Sequence, residues 1–188
     1  PKGGLYEHRS TVLHAMAIIV PDIFDLPACA VMLPVVPMFH ANSWCLPYAA
    51  AITGLKLVVC ADNTPERICR LFNEEGVTHS AGVPTVWLNL IDYVEDTGAS
   101  LGKLHTIMIG GSSAPPATIR WMRKHGVRVR HLWGMTEMSP IGTVGAPPSN
   151  WDAMSEDEQV DYQSRPGRSM FGVELRVVDE GGQVLPRD

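Results

Sequence analysis

The sequence predicts an α/β fold with a largely parallel sheet. Short apolar runs alternate with amphipathic stretches of helical spacing over residues 7–132. The run 31–36 is continuously apolar, as a strand covered on both faces requires. Glycine and proline punctuate the ends of the segments.

Taken in order, residues 7–19 read as a helix and 31–36 as a buried strand. Residues 44–52 read as a helix ending near Gly54, and 57–60 as a strand. Thr64-Pro65-Glu66 places a capping residue, a proline at the first helical position and an acid in the first turn. The helix it opens runs to Glu75, with Gly76 as its stop. Strands are expected over 78–81, 104–109 and 127–132, and helices over 84–94 and 116–125, the last closed by Gly126. After Pro140 the texture changes. Pro147-Pro148-Ser149-Asn150 and the acidic run 152–161 read as a surface excursion, and 173–178 with 183–185 as a closing β-hairpin around Asp179-Glu180-Gly181-Gly182.

Composition excludes several classes. A hydrophobic share of 45% with moderate charge fits a packed domain rather than a disordered chain. A net charge of −5 without a basic cluster argues against sequence-independent nucleic-acid binding. No apolar run approaches the roughly 18–20 residues of a membrane span. Cys29, Cys45, Cys60 and Cys69 form no Cys-x-x-Cys pair and read as reduced thiols, which suits a cytoplasmic location.

Ligands of such folds bind beyond the carboxyl ends of strands, which directs attention to three strand exits. His131-Leu132-Trp133-Gly134-Met135-Thr136-Glu137 offers an aromatic face, a glycine for close backbone approach, a hydroxyl donor and a hard carboxylate suited to Mg²⁺. A plain strand-to-loop turn also explains it. Gly110-Gly111-Ser112-Ser113-Ala114-Pro115 joins a strand to a helix and permits close approach of an anion at the helix start, although a tight turn explains it equally well. At Pro37-Met38-Phe39-His40-Ala41-Asn42-Ser43-Trp44 the histidine is placed to meet a carboxylate or phosphate, or to serve structure alone. Asp152, Glu156, Asp157, Glu158 and Asp161 read as a solvated face.

These motifs, in this order, resemble the acyl-adenylate-forming superfamily. Pro1-Lys2-Gly3 is similar to the tail of its phosphate loop, residues 37–44 to its acid-substrate motif, and Trp133 to Glu137 to its Tyr-Gly-x-Thr-Glu motif. Gly110 to Pro115 is similar to the segment that lies against adenine, and the likeness covers the whole chain. Within the superfamily, Pro-Met-Phe-His-Ala-Asn-Ser-Trp-Cys-Leu-Pro-Tyr looks like bacterial medium- and long-chain fatty acyl-CoA synthetases. The resemblance implies that residues 1–188 are part of the large amino-terminal domain of an AMP-forming fatty acid–CoA ligase. Most of the phosphate loop would lie upstream and the carboxyl-terminal domain beyond residue 188.

It implies ATP, Mg²⁺ and coenzyme A as cofactors and co-substrates, with fatty acid as the partner molecule. Gly111 and Trp133 would line the adenine site, with His131 and Leu132 offering backbone contacts. Thr136 would hold the α-phosphate and Glu137 the Mg²⁺. His40, with Ala41, would lie near the reacting carboxylate, Trp44 at the mouth of the acyl tunnel, and Lys2 near the ATP phosphates. By itself the 188-residue stretch is expected to be inactive. A homodimer and peripheral membrane contact are compatible with the resemblance. Two departures bear on nucleotide binding: Trp133 stands where tyrosine is usual, and Leu132 where a small residue is usual. An aryl- or short-chain acyl-CoA synthetase and a non-catalytic nucleotide- or acyl-binding module are the alternatives.

Overall fold

The computed structural model describes residues 3–186. Seven strands form one sheet in the order β2-β1-β3-β4-β5-β6-β7. The strands β1 (Val31–Pro34), β2 (Lys56–Leu57), β3 (His79–Gly82), β4 (Thr106–Ile109) and β5 (Arg128–Gly134) are mutually parallel. The strands β6 (Ile141–Val144) and β7 (Arg168–Ser169) run antiparallel to their neighbours.

Helices cover both faces. On one, α1 (His8–Ile18) and α3 (Leu46–Thr53) pack Ile18, Leu46 and Ala49 onto Met32, Met108 and Leu132. On the other, α4 (Pro65–Glu74), α5 (Pro84–Thr97), α6 (Pro116–Lys124) and α7 (Glu156–Ser164) pack Phe72, Trp87, Ile119 and Val160 onto Leu33, Ile107, Ile109 and Val129. Met32 and Leu33, or Ile107 and Met108, thus serve opposite cores from adjacent positions, and this explains the unbroken apolar runs.

Several elements differ from expectation. The strand expected over 57–60 shrinks to Lys56–Leu57 at the sheet edge, and Val59 is exposed. Helix α5 continues to Thr97 before Gly98 closes it. Thr64 occupies the N-cap position of α4, but its hydroxyl donates to Asp62 rather than capping. The acids of the run 152–161 are exposed as expected, but the run also carries a helix that was not expected, α7, with a capping box between Ser155 and Glu158. Three acids in the first turn suit the positive helix end, and Gln163 donates to the Val129 carbonyl at 3.1 Å. The terminal hairpin is reduced to one bridge, Val178 to Val184, with Leu185 N–H donating to Val177 O at 2.9 Å.

All four cysteines are free. Among the described residues no helix is long and apolar enough to cross a membrane.

Two buried histidines couple this packing to pH. His14 on α1 accepts from the Ile141 N–H through Nε2 at 3.0 Å, and burial pulls its pKa down to about 4. Burial, assisted by neighbouring His105, pulls His79 down to about 4 as well. The unfolded chain therefore binds more protons between about pH 6.5 and pH 4, so stability must fall as pH drops through that window. The two groups together should remove several kcal/mol, on the order of 3 each by pH 4. Urea midpoints measured from pH 7 to pH 4 test this, and His14→Leu should flatten the slope.

Candidate functional site

The cleft is built at the carboxyl ends of β1, β4 and β5. After β1 the backbone enters an unusual conformation. Ala41, Asn42, Ser43, Trp44 and Cys45 have φ values of 48°, 53°, 52°, 55° and 68°. The turn Ala41–Trp44 (α2) is therefore left-handed, and the right-handed helix expected over 44–52 starts only at Leu46. Such residues cost roughly 1–2 kcal/mol each for L-amino acids, so the surroundings must hold them. The Ser43 hydroxyl, fully buried, donates to Val36 O at 2.8 Å. The Cys45 N–H reaches Asn42 O at 3.1 Å. Trp44 is only 3% exposed and belongs to the core under α1. Strain of this kind concentrates at ligand sites. The turn leaves His40 exposed at its start and aims Ala41 into the cleft.

After β4, Gly110 is wedged between neighbours. A Cβ there would lie 2.3 Å from Leu132 Cδ1 and 3.2 Å from Trp44 Cη2. The next residue, Gly111, has φ 85°. Leu132, expected as a departure that alters nucleotide affinity, thus packs over Gly110 and lines the cleft.

After β5 a bulge at Trp133/Gly134 turns the chain into the 3-10 turn Thr136–Met138. Gly134 needs its hydrogen for a reason the sequence did not show. A Cβ would fall 2.0 Å from Pro140 O, so the returning chain occupies the side-chain position while the Gly134 backbone lines the cavities. The N–H of Met135 donates to the same carbonyl at 2.8 Å. Tyr6, not anticipated from the sequence, donates its hydroxyl to Thr136 O at 2.7 Å. Burial, and then the nearby Glu137 carboxylate, raises the pKa of that hydroxyl. Gly4 lies against Thr136 Cγ2, so the amino-terminal stretch borders the acidic turn. Lys2 lies outside the described residues.

The three exits enclose two adjoining cavities. One, of 270 Å³, is lined by His40, Ala41 and Trp44 on one side and Thr136 and Glu137 on the other, with Gly111 and Leu132 between. The second, of 300 Å³, is lined by His131, Trp133, Ser112, Ser113 and Ser164, and shares Gly111, Leu132 and Gly134 with the first. The structure therefore gathers every sequence-predicted site residue except Lys2. Trp133 is 40% exposed, with its ring available. His131 is 5% exposed, and its Nδ1 has no hydrogen-bond partner among the described residues. Burial holds its pKa below the ordinary histidine value, against the pull of the backbone at Ser164 and Ser112, so the ring is neutral at pH 7. Ser164 comes from α7, which the sequence did not reveal, and so escaped prediction. A larger hollow of 710 Å³ lies between β7 and the terminal hairpin, but the charges of Arg168 and Arg176 there are taken by Asp22 and Glu174.

A family model described as AMP-binding enzyme matches residues 1–188. The chain belongs to the AMP-binding enzyme family. It is 44% identical to a long-chain-fatty-acid–CoA ligase of Thermus thermophilus over 189 residues. It is 43% identical over 190 residues to a 3-methylmercaptopropionyl-CoA ligase of Ruegeria lacuscaerulensis, and also to a medium-chain-fatty-acid–CoA ligase of Ectopseudomonas oleovorans. Each alignment takes in the whole of this chain and 35% of the relative, so the chain spans about a third of the curated relatives it matches. Among solved structures, a long-chain-fatty-acid-CoA ligase from Archaeoglobus fulgidus superposes with a TM-score of 0.78 at 22% identity, over 94% of this chain and 35% of that one. An o-succinylbenzoate coenzyme A synthetase from Bacillus subtilis, in complex with ATP and magnesium ion, gives 0.76 at 19%, over 95% and 34%. These two likenesses establish a shared fold, that of an AMP-binding enzyme domain.

Gly134→Ala provides a test of the loop geometry. Its Cβ would meet backbone that cannot move aside, and the variant should lose about 3 kcal/mol of stability. A thermal melt against wild type reads the loss.

Proposed function

We propose that this chain forms the nucleotide- and acid-binding part of an AMP-forming acyl-CoA synthetase acting on a fatty acid. The observation that carries the reading is that His40, Ala41 and Trp44 face Thr136 and Glu137 across one cavity, with Trp133 and His131 in the cavity beside it. In the first half-reaction a carboxylate oxygen of the acid attacks the α-phosphorus of ATP and pyrophosphate leaves. In the second, the thiol of coenzyme A displaces AMP from the acyl-adenylate.

The chain's own residues would act by positioning and by charge. The Trp133 ring offers a face for the adenine. His131, neutral and with an unpartnered nitrogen, suits the exocyclic amine of the base. The Thr136 hydroxyl would donate to an α-phosphate oxygen, and His40 would orient the acid carboxylate. Trp44 would border the acyl entrance while also serving the core. Among the described residues no group of three or more His, Cys, Asp or Glu is assembled. Glu137 is a single exposed carboxylate beside the Thr136 hydroxyl, which fits Mg²⁺, a cation usually held by one or two carboxylates and substrate phosphates. When bound there, the ion would neutralise charge on the phosphates. The free thiols fit a cytoplasmic enzyme.

A second reading concerns the acid. The 43% identity to a 3-methylmercaptopropionyl-CoA ligase supports a short thioether acid, and a screen of acids from short to long chain separates the two.

Two results are expected in the full-length enzyme. Glu137→Gln should reduce ATP–pyrophosphate exchange by about 10²–10³ at limiting Mg²⁺; exchange at the wild-type rate would refute the role. For base recognition, wild type should prefer AMP to inosine monophosphate in calorimetric titration. His131→Leu should erase that preference, and His131→Gln, which keeps a donor and an acceptor, should retain it.

A further inference from the structure

The turn that carries Thr136 and Glu137 is held from outside itself. Both side chains are exposed, and among the described residues neither makes a hydrogen bond or ion pair of its own. Where they point is therefore set by the backbone beneath them. Inside the turn, Met138 N–H donates to Met135 O at 2.9 Å, but the Thr136 carbonyl receives Ser139 N–H only at 3.4 Å. Ser139 itself sits at φ 72°, in the left-handed region. Such a conformation persists where the surroundings impose it.

Two groups from the amino-terminal stretch supply that support. The Tyr6 hydroxyl donates to Thr136 O at 2.7 Å. This is the short bond to that carbonyl, at the usual O–H···O distance. On α1, His14 accepts the Ile141 N–H through Nε2 at 3.0 Å, just past the other end of the loop. Tyr6 precedes α1 and His14 lies on it, so one segment grips the loop at both ends. The grip extends to Gly4, where a Cβ would lie 3.3 Å from Thr136 Cγ2. Burial and the Glu137 carboxylate raise the pKa of the Tyr6 hydroxyl, so it remains a donor at neutral pH. Tyr6 lines neither cavity of the cleft. Its influence on a ligand passes through Thr136.

We propose that Tyr6 is a positioning residue for the adenylation step. With His14 at the far end of the loop, its hydroxyl fixes the Thr136 hydroxyl and the Glu137 carboxylate in one orientation toward the phosphates. The inference rests on the roles proposed above for Thr136 and Glu137. Without the hydroxyl, the Thr136 carbonyl turns to water and the two side chains spread over several orientations. A ligand then bears the cost of ordering them.

The test is calorimetric titration of the full-length enzyme with a non-hydrolysable ATP analogue in the presence of Mg²⁺, alongside adenosine and a thermal melt. Tyr6→Phe keeps the ring and removes the bond. It should weaken binding of the analogue about fivefold, and leave adenosine affinity and the melting temperature near wild type. In the Glu137→Gln background the same change should lose most of its effect, as expected of residues that act together. A merely structural tyrosine would lower the melting temperature, weaken adenosine as much as the analogue, and add fully to Glu137→Gln. Any of these, or analogue binding by Tyr6→Phe at the wild-type affinity, would overturn the proposal. If Glu137→Gln alone binds the analogue as wild type does, the reading of the site fails and the positioning role falls with it. If Glu137→Gln is impaired and Tyr6→Phe is not, the positioning role alone fails. Should Tyr6→Phe not fold, His14 decides: His14→Leu should weaken the analogue, and His14→Gln, which keeps an acceptor for Ile141, should not. Equal affinities in those two variants would overturn the proposal.

Discussion

The contact that Leu132 and Trp44 make over Gly110 governs the arrangement of the cleft. Leu132 belongs to β5, Gly110 directly follows β4, and Trp44 follows β1, so one contact ties together the three strand exits that carry the candidate site. Parallel strands deliver their carboxyl ends to the same edge of a sheet. They do not by themselves bring the following loops together. That step requires a side chain from each flanking loop to meet where position 110 has none, and even an alanine there would push Leu132 and Trp44 away.

The left-handed turn follows from the same contact. Trp44 reaches the core from a chain that has just left the sheet, and five consecutive residues accept positive φ to put it there. Burial of the indole and the Ser43 hydrogen bond to Val36 offset the conformational cost. The arrangement places His40 and Ala41 opposite Thr136 and Glu137 rather than along a continuous helix. Rigidity of the carboxylate side of the cleft is thus a consequence of core packing, while the facing turn is pinned by Tyr6 and by the return of the chain through Pro140.

Much of this was legible in the sequence. Strands β1 and β4 announce themselves by apolar runs because both their faces are covered, while β3 and β5, which carry His79, Ser80, Arg128, Arg130 and His131, were legible from their spacing between helices. The site segments fall at their ends, where polar and small residues interrupt the runs. The left-handed turn was not legible, because Ala-Asn-Ser-Trp-Cys contains no glycine and local preference favours a right-handed helix; tertiary packing overrides it. Helix α7 was missed because only Val160 and Tyr162 supply apolar surface in nine residues, too few to show a period. With α7 unseen, Ser164 could not be placed beside His131. Gly134 was legible as a special position, but its contact with the chain's own carbonyl at Pro140 was not.

The central claim is that one adenylate spans both cavities, with its base by Trp133 and His131 and its acyl phosphate between His40 and Thr136. Amide chemical-shift mapping with a non-hydrolysable acyl-sulfamoyl adenosine tests this most directly. The account predicts that the largest perturbations fall on residues 40–45, 110–114 and 131–137, and that Trp133→Ala removes them. Perturbations confined to the hollow at residues 168–186, or no response at saturating analogue, would contradict it.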